Sequence, residues 1–268
     1  MTARFWAQLE YDGTDFAGFQ LQAQDRTVQG EIERALREVT GVDTRVTGAG
    51  RTDSGVHARG QIISFDAELR QEIADLHRAR NAVLAADVAI VQVGLAHEGF
   101  HPRFDAVSRT YRYTLLTQPW RSPLNRRTAW QVPYQLDIDR MAQASRCLIG
   151  THDFSTFGRP PQGENAVRTV TQAEWREGCG VASEASPGAP AEWIAFDITA
   201  NAFLYHMVRS LVGSLVLVGS GQLSVDEFEA MLPARDSSLA KQLAPAQGLC
   251  LMRVEYTEAG YPASKVLA

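Results

Sequence analysis

Apolar and polar positions alternate in two rhythms along this chain, and the changes of rhythm mark out its elements. Arg4 to Tyr11 (RFWAQLEY) is aromatic-rich with a partial two-residue alternation and stops at the turn pair Asp12-Gly13, which predicts a strand. Val28, Ile32, Ala35, Leu36 and Val39 then recur at helical spacing, with Thr27 placed to cap the first turn and Gly41 just past the end. Short strand-like runs follow at Thr44 to Thr47 and Gln61 to Phe65, separated by a glycine-rich loop from Gly48 to Gly60. A helical stretch from Leu69 to about Ala85 precedes the apolar run Val88 to Leu95, which reads as a further strand.

The order strand, helix, strand, strand, helix, strand is a split β-α-β unit, and from Ser108 it begins again. TYRYTLL predicts a strand and Ile138 to Leu148 a helix; strands follow around Arg168 to Trp175 and Trp193 to Thr199. A helix from Ala202 to about Gly219 and a last strand from Leu249 to Tyr256 complete the second set. The expected fold class is α+β: two topologically similar split β-α-β (ferredoxin- or RRM-like) domains, residues 1–105 and 106–268, forming a largely antiparallel mixed sheet flanked by helices. No residue-level repeat accompanies the duplication. The Gly, Ser, Ala and Pro between Glu177 and Pro190 predict an exposed hairpin loop.

Composition adds limits. Cys147, Cys179 and Cys250 match neither a disulfide framework nor paired zinc ligands, so reduced structural thiols are expected. No leader pattern opens the chain and the apolar stretches are too short for a membrane span, which makes the cytoplasm the expected address. The formal net charge of -5 argues mildly against a nucleic-acid partner. Against this, residues 101–130 hold six arginines (Arg103, Arg109, Arg112, Arg121, Arg126 and Arg127) and one acid, Asp105. Arginine forks onto phosphates and stacks on bases, so this stretch is a candidate RNA surface; a solvated charged face is the alternative.

Three places could carry chemistry. The loop GAGRTDSGVHARG bends sharply around Arg51, Thr52 and Asp53 and fits neither a Walker loop nor GxGxxG. It is a candidate binding loop; the alternative is a tight turn whose Asp53 caps its own backbone. In NAFLYHMVRSLVGSLVLVG, aliphatic side chains cover more than half the helix and leave one stripe with His206, Arg209, Ser210 and Gly213. A guanidinium on so apolar a helix calls for a nearby carboxylate, structural or functional. In SRTYRYTLL, Tyr111 and Tyr113 share one face of a strand, either as core or with one ring at the rim of an RNA cleft. The histidines show no metal-ligand spacing, and no GxSxG elbow is present.

Five blocks together resemble the tRNA pseudouridine synthase A family along almost the whole chain: LEYDGTDFAGFQ with RTVQGEIERAL, GAGRTDSGVHARGQ, FHPRFDAVSRTYRY, THDFSTF, and NAFLYHMVRSLVGSLVLVG with LAPAQGL. The resemblance implies the pseudouridine synthase fold and isomerisation of uridine in the anticodon stem-loop of tRNA, at positions 38 to 40, without metal, nucleotide or other cofactor. It implies Asp53 as the essential aspartate, Tyr111 against the target uracil, Arg209 as the ion-pair partner of Asp53, and Arg51 holding the target nucleotide out of the stack. His57, in the same loop, and Arg109 and Arg112, beside Tyr111, complete the expected substrate contacts. A homodimer spanned by one tRNA is also implied. Phe19, Pro102 and Ser210 depart from the residues usual in the family at those places. The competing reading is a catalytically silent RNA-binding or chaperone protein on the same fold. A hydrolase is disfavoured because no second acid accompanies Asp53 in its loop.

Overall fold

The computed structural model describes residues 2–68, 81–160, 163, 165–178 and 193–257. The chain forms two compact units, Met1–Arg109 with Leu251–Ala268, and Thr110–Cys250. Each is α+β, with a mostly antiparallel sheet and flanking helices.

In the first unit, β1 (Thr2–Tyr11) is central to the order β4-β1-β3, where β3 is His57–Glu68 and β4 is Val88–Leu95. It runs antiparallel to both neighbours, and short β2 (Thr47–Gly48) adds to the far side of β3. This is the split β-α-β arrangement anticipated above. Phe5 and Phe65 are register partners whose rings stack at 5.5 Å. Helix α1 (Val28–Thr40) buries Val28, Ile32, Ala35 and Leu36; the Thr27 hydroxyl accepts from Gly30 N–H, and Gly41 ends it in the left-handed region at φ 73°. Residues 69–80, where a second helix is expected, lie outside the described residues.

In the second unit, β5 (Ala106–Thr117) neighbours β9 (Trp193–Ala200), followed by β8 (Val167–Glu177) and β7 (Gly150–Asp153). Short β6 (Trp130–Val132) pairs parallel to the end of β5. Helices α2 (Ile138–Ser145), α3 (Met207–Gly219) and α4 (Val225–Ala234) complete it. Helix α4, with its Ser224/Glu227 capping box, is an addition to the expected elements. Two strands cross the division of the chain: β5 starts in the first unit, and β10 (Leu249–Tyr256) continues from Leu251 in the first unit beside β3. The expected hairpin loop and Cys179 fall mainly on residues 179–192, outside the described residues.

One boundary differs instructively. Helical periodicity starts at Ala202, but α3 starts at Met207, because the backbone of Tyr205 is taken by Arg159: each N–H donates to the other's carbonyl, at 2.9 and 3.2 Å. His206 then turns the chain at φ 64°. Local pattern cannot register a partner nearly fifty residues away.

Candidate functional site

The loop carrying Asp53 is held by the end of β1 and the segment that follows it. The Tyr11 hydroxyl and Thr52 Oγ1 lie 2.8 Å apart, and Phe19 N–H donates to the Thr52 carbonyl at 3.0 Å. On the other side of Asp53, the Ser54 hydroxyl and Gly55 N–H both donate to the Phe16 carbonyl, at 3.2 and 3.3 Å. Val56 N–H closes a turn onto the Asp53 carbonyl at 3.1 Å. The side-chain amide of Gln61 donates to the Gly50 carbonyl at 2.7 Å and accepts from Gly50 N–H at 3.3 Å. Both chain neighbours of Asp53 are thus pinned and the residue itself is half-buried, the condition for an aimed rather than a wandering acid.

The bracing segment is itself anchored. Arg26 forks onto Asp87 at 2.6 and 2.8 Å and lies over the Phe16 ring, 4.1 Å from its centroid. That fork holds the Asp87 carboxyl below its usual range. Gly18, at φ +103°, allows the segment to lie against the backbone of Thr52 to Ser54, where a β-carbon would meet the Thr52 carbonyl oxygen at 2.9 Å. Phe19 is buried with its ring against Gly48, so the phenylalanine serves as packing beneath the loop. Sequence reasoning missed this bracing role of Tyr11, Phe16, Gly18 and Thr52; the only signal was that DGTDFAGF is unusually rich in turn-forming residues for a plain connection.

The other expected residues fall into two groups. Arg51 is exposed beside Asp53 in sequence. His57, by contrast, is buried; its Nδ1 accepts from Gly13 N–H at 3.0 Å and lies 3.1 Å from Asp12 Oδ1. Arg109 is 7% exposed and donates to the carbonyls of Ala49, Arg103 and Ala106. Arg112 forks onto the buried Asp197 at 2.7 and 2.8 Å. These three were expected to touch substrate; each makes polar contacts within its own unit, and the Arg112 side chain is 30% exposed. A strand arginine facing an acid across the sheet looks the same in sequence as one facing solvent.

Within the second unit, Tyr111 is 8% exposed and meets Phe203 edge-to-face, with ring centroids 5.1 Å apart. Tyr113 is fully buried and donates its hydroxyl to the Pro245 carbonyl at 2.7 Å. Burial raises its phenol well above the usual value, and the charge of Arg209 opposes that rise. Arg209 and Gly213 of α3 face the chain from Gln242 to Ala244. Arg209 Nε donates to the Ala244 carbonyl at 2.8 Å, and Ala244 N–H donates to the Arg209 carbonyl at 3.1 Å. A β-carbon on Gly213 would sit 1.9 Å from the Gln242 carbonyl oxygen, so only glycine admits that strand of chain. The LAPAQG segment therefore orients the arginine from one side, and Tyr113 holds that segment in turn.

Among the described residues no cluster of His, Cys, Asp and Glu is arranged to hold a metal ion, and no helix is long and apolar enough to cross a membrane.

The fold is α+β with a mostly antiparallel sheet and an aspartate on a braced loop, and comparison with known proteins gives the family. The tRNA pseudouridine synthase family matches residues 7–105 and 144–257. The tRNA pseudouridine synthase A of Roseiflexus sp. (strain RS-1) is 44% identical over 253 residues, covering 94% of this chain and 90% of the relative. Its namesake in Halalkalibacterium halodurans is 40% identical, covering 95% and 93%. That of Bacillus subtilis (strain 168) is 39% identical, covering 94% and 99%. The chain belongs to the tRNA pseudouridine synthase family.

Proposed function

We propose that this chain converts uridine to pseudouridine in the anticodon arm of tRNA, at positions 38 to 40, with Asp53 as the essential carboxylate. The carrying observation is the half-buried Asp53 fixed through both chain neighbours, in a chain that the family matches over residues 7–105 and 144–257. The net change is an isomerisation: the N1–C1′ bond breaks, C5 bonds to C1′, the hydrogen leaves C5, and N1 gains a proton. It requires no electron acceptor. A base in a stem must first leave the stack, and a short arm beside a loop costs less to open.

Tyr111, whose ring Phe203 holds edge-on, is the stacking surface for the target uracil, and Arg209, oriented by the Ala244 carbonyl, is the cation of the catalytic set. Arg51 is the exposed contact that helps to keep the nucleotide extruded. His57, Arg109 and Arg112 contribute by holding backbone and sheet in place rather than by touching RNA. The enzyme works as a homodimer on cytoplasmic tRNA.

The test is tritium release from tRNA labelled at uracil C5, with the products mapped by position. Release from the anticodon arm that disappears in Asp53→Ala, with tRNA binding retained, supports the reading. Continued release in Asp53→Ala overturns the role of Asp53, and tight binding without release by the native protein leaves a silent RNA-binding protein instead. Sedimentation of the native protein tests the dimer.

A further inference from the structure

The arginine-rich stretch is not one surface. Arg109 and Arg112 are committed inside their units, whereas Arg121 and Arg126 are exposed on the loop between β5 and β6, and neither forms an ion pair among the described residues. This loop lies between the two segments matched to the family, in the second unit. From Thr117 to Leu136 the sequence holds three arginines and no acid, in a chain of net charge -5.

The loop is built, not slack. Its pivot is Gln131, whose side-chain amide donates to the carbonyls of Gln118 and Trp120 and accepts from Ser122 N–H at 3.1 Å. Gln118 Nε2 also donates to the Trp120 carbonyl at 2.9 Å, and Asn125 Nδ2 to the Ser122 hydroxyl at 2.9 Å. Thr128 and Ala129 N–H close the far end onto the Asn125 carbonyl. With its backbone so fixed, the loop holds Trp120 at 65% and Leu124 at 95% exposure beside the two arginines. A tryptophan kept in water by a rigid frame is unusual, since its ring gains by burial.

We propose that this loop is an RNA contact separate from the target-nucleotide site: Trp120 stacks on an unpaired base while Arg121 and Arg126 take the flanking phosphates. The inference rests on tRNA being the substrate. Charge decides the partner, because an unbalanced basic loop on an acidic protein complements a polyanion. Size agrees: a stable protein interface needs about 800 Å² from each partner, far more than two side chains supply, whereas a base stack needs one ring face.

The experiment measures binding of an unmodified full-length tRNA transcript across a salt series, with tritium release followed in parallel. Trp120→Ala should weaken binding roughly fivefold or more and raise KM accordingly, while Trp120→Phe restores most of the affinity. Arg121→Gln with Arg126→Gln should lower the slope of log K against log salt by about 1.5. Unchanged affinity in Trp120→Ala and an unchanged salt slope in the arginine variant overturn the proposal. So does a shift of Trp120→Ala to a smaller sedimenting species, which would make the loop a contact between copies of the chain. Absence of tritium release by the native protein refutes the parent reading alone, because the binding comparison is read independently of it.

Discussion

Gly18 is where the bracing segment leans on the Asp53 loop, so Gly18→Ala probes the brace directly. The added methyl group would stand 2.9 Å from the Thr52 carbonyl oxygen, 3.3 Å from Ser54 N and 3.4 Å from the Asp53 carbonyl carbon. Ordinary contact with that oxygen requires the two chains to separate by about 0.5 Å. Alanine must also hold φ at +103°, a strain of about 1–3 kcal/mol. All three crowded atoms belong to the Asp53 peptide or its neighbours, so the displacement passes to the carboxylate. A 1 Å misplacement can cost about 100-fold in rate, so half of that predicts roughly a tenfold fall in kcat. Gly41→Ala is the control, since Gly41 is also left-handed, at φ +73°, but its β-carbon would meet nothing within 4 Å. It should lose about 1 kcal/mol of stability and no activity. Urea unfolding and single-turnover tritium release read the two quantities. Native stability and rate in Gly18→Ala, or an equal loss of rate in Gly41→Ala, would refute the reasoning.

Three further outcomes are expected. Tyr113→Phe removes the donor to the Pro245 carbonyl and should cost about 1–3 kcal/mol in urea unfolding while lowering kcat more than tRNA affinity, because the neighbouring Ala244 carbonyl orients Arg209; an unaltered kcat argues against that coupling. Asp197→Ala strands the guanidinium of Arg112 on the sheet and should destabilise by about 3 kcal/mol, with salt dependence of tRNA binding unchanged if Arg112 is structural as described. Asp87→Asn tests the Arg26 anchor through pH. The hydrogen bond from Arg26 depresses the folded-state carboxyl below its unfolded value of about 3.9, so the pair stabilises fully above that pH and loses its contribution as pH falls through the lower folded value. Because the pair is partly exposed, the native protein should exceed the variant by at most about 1 kcal/mol at pH 7. The gap should shrink in thermal melts toward pH 3, and an equal gap at both values contradicts the assignment.

Local signals carried much of this fold. Thr27 and Gly41 bracket α1 as their capping chemistry requires, and the alternating or apolar runs that became β4 and β10 have the bounds read from sequence. Arg209 stood out as an ionic group on an apolar helix, and Asp53 by its place in a glycine-rich loop that matched no common phosphate-binding pattern. Such features depend on residues within one or two turns of each other, which the sequence records directly.

What the tertiary structure alone decided involves partners far apart in the chain. Sequence could not say that Tyr205 would be drawn off its helix by Arg159, that Thr52 would be held by Tyr11, or that Arg112 would be spent on Asp197 while Arg121 stayed exposed. An arginine costs nothing to write at either place; whether it meets a carboxylate or water is settled when strands separated by dozens of residues pair in register. Residue type and spacing determine which groups are present and what local backbone they adopt, while long-range pairing determines which of those groups remain available to act.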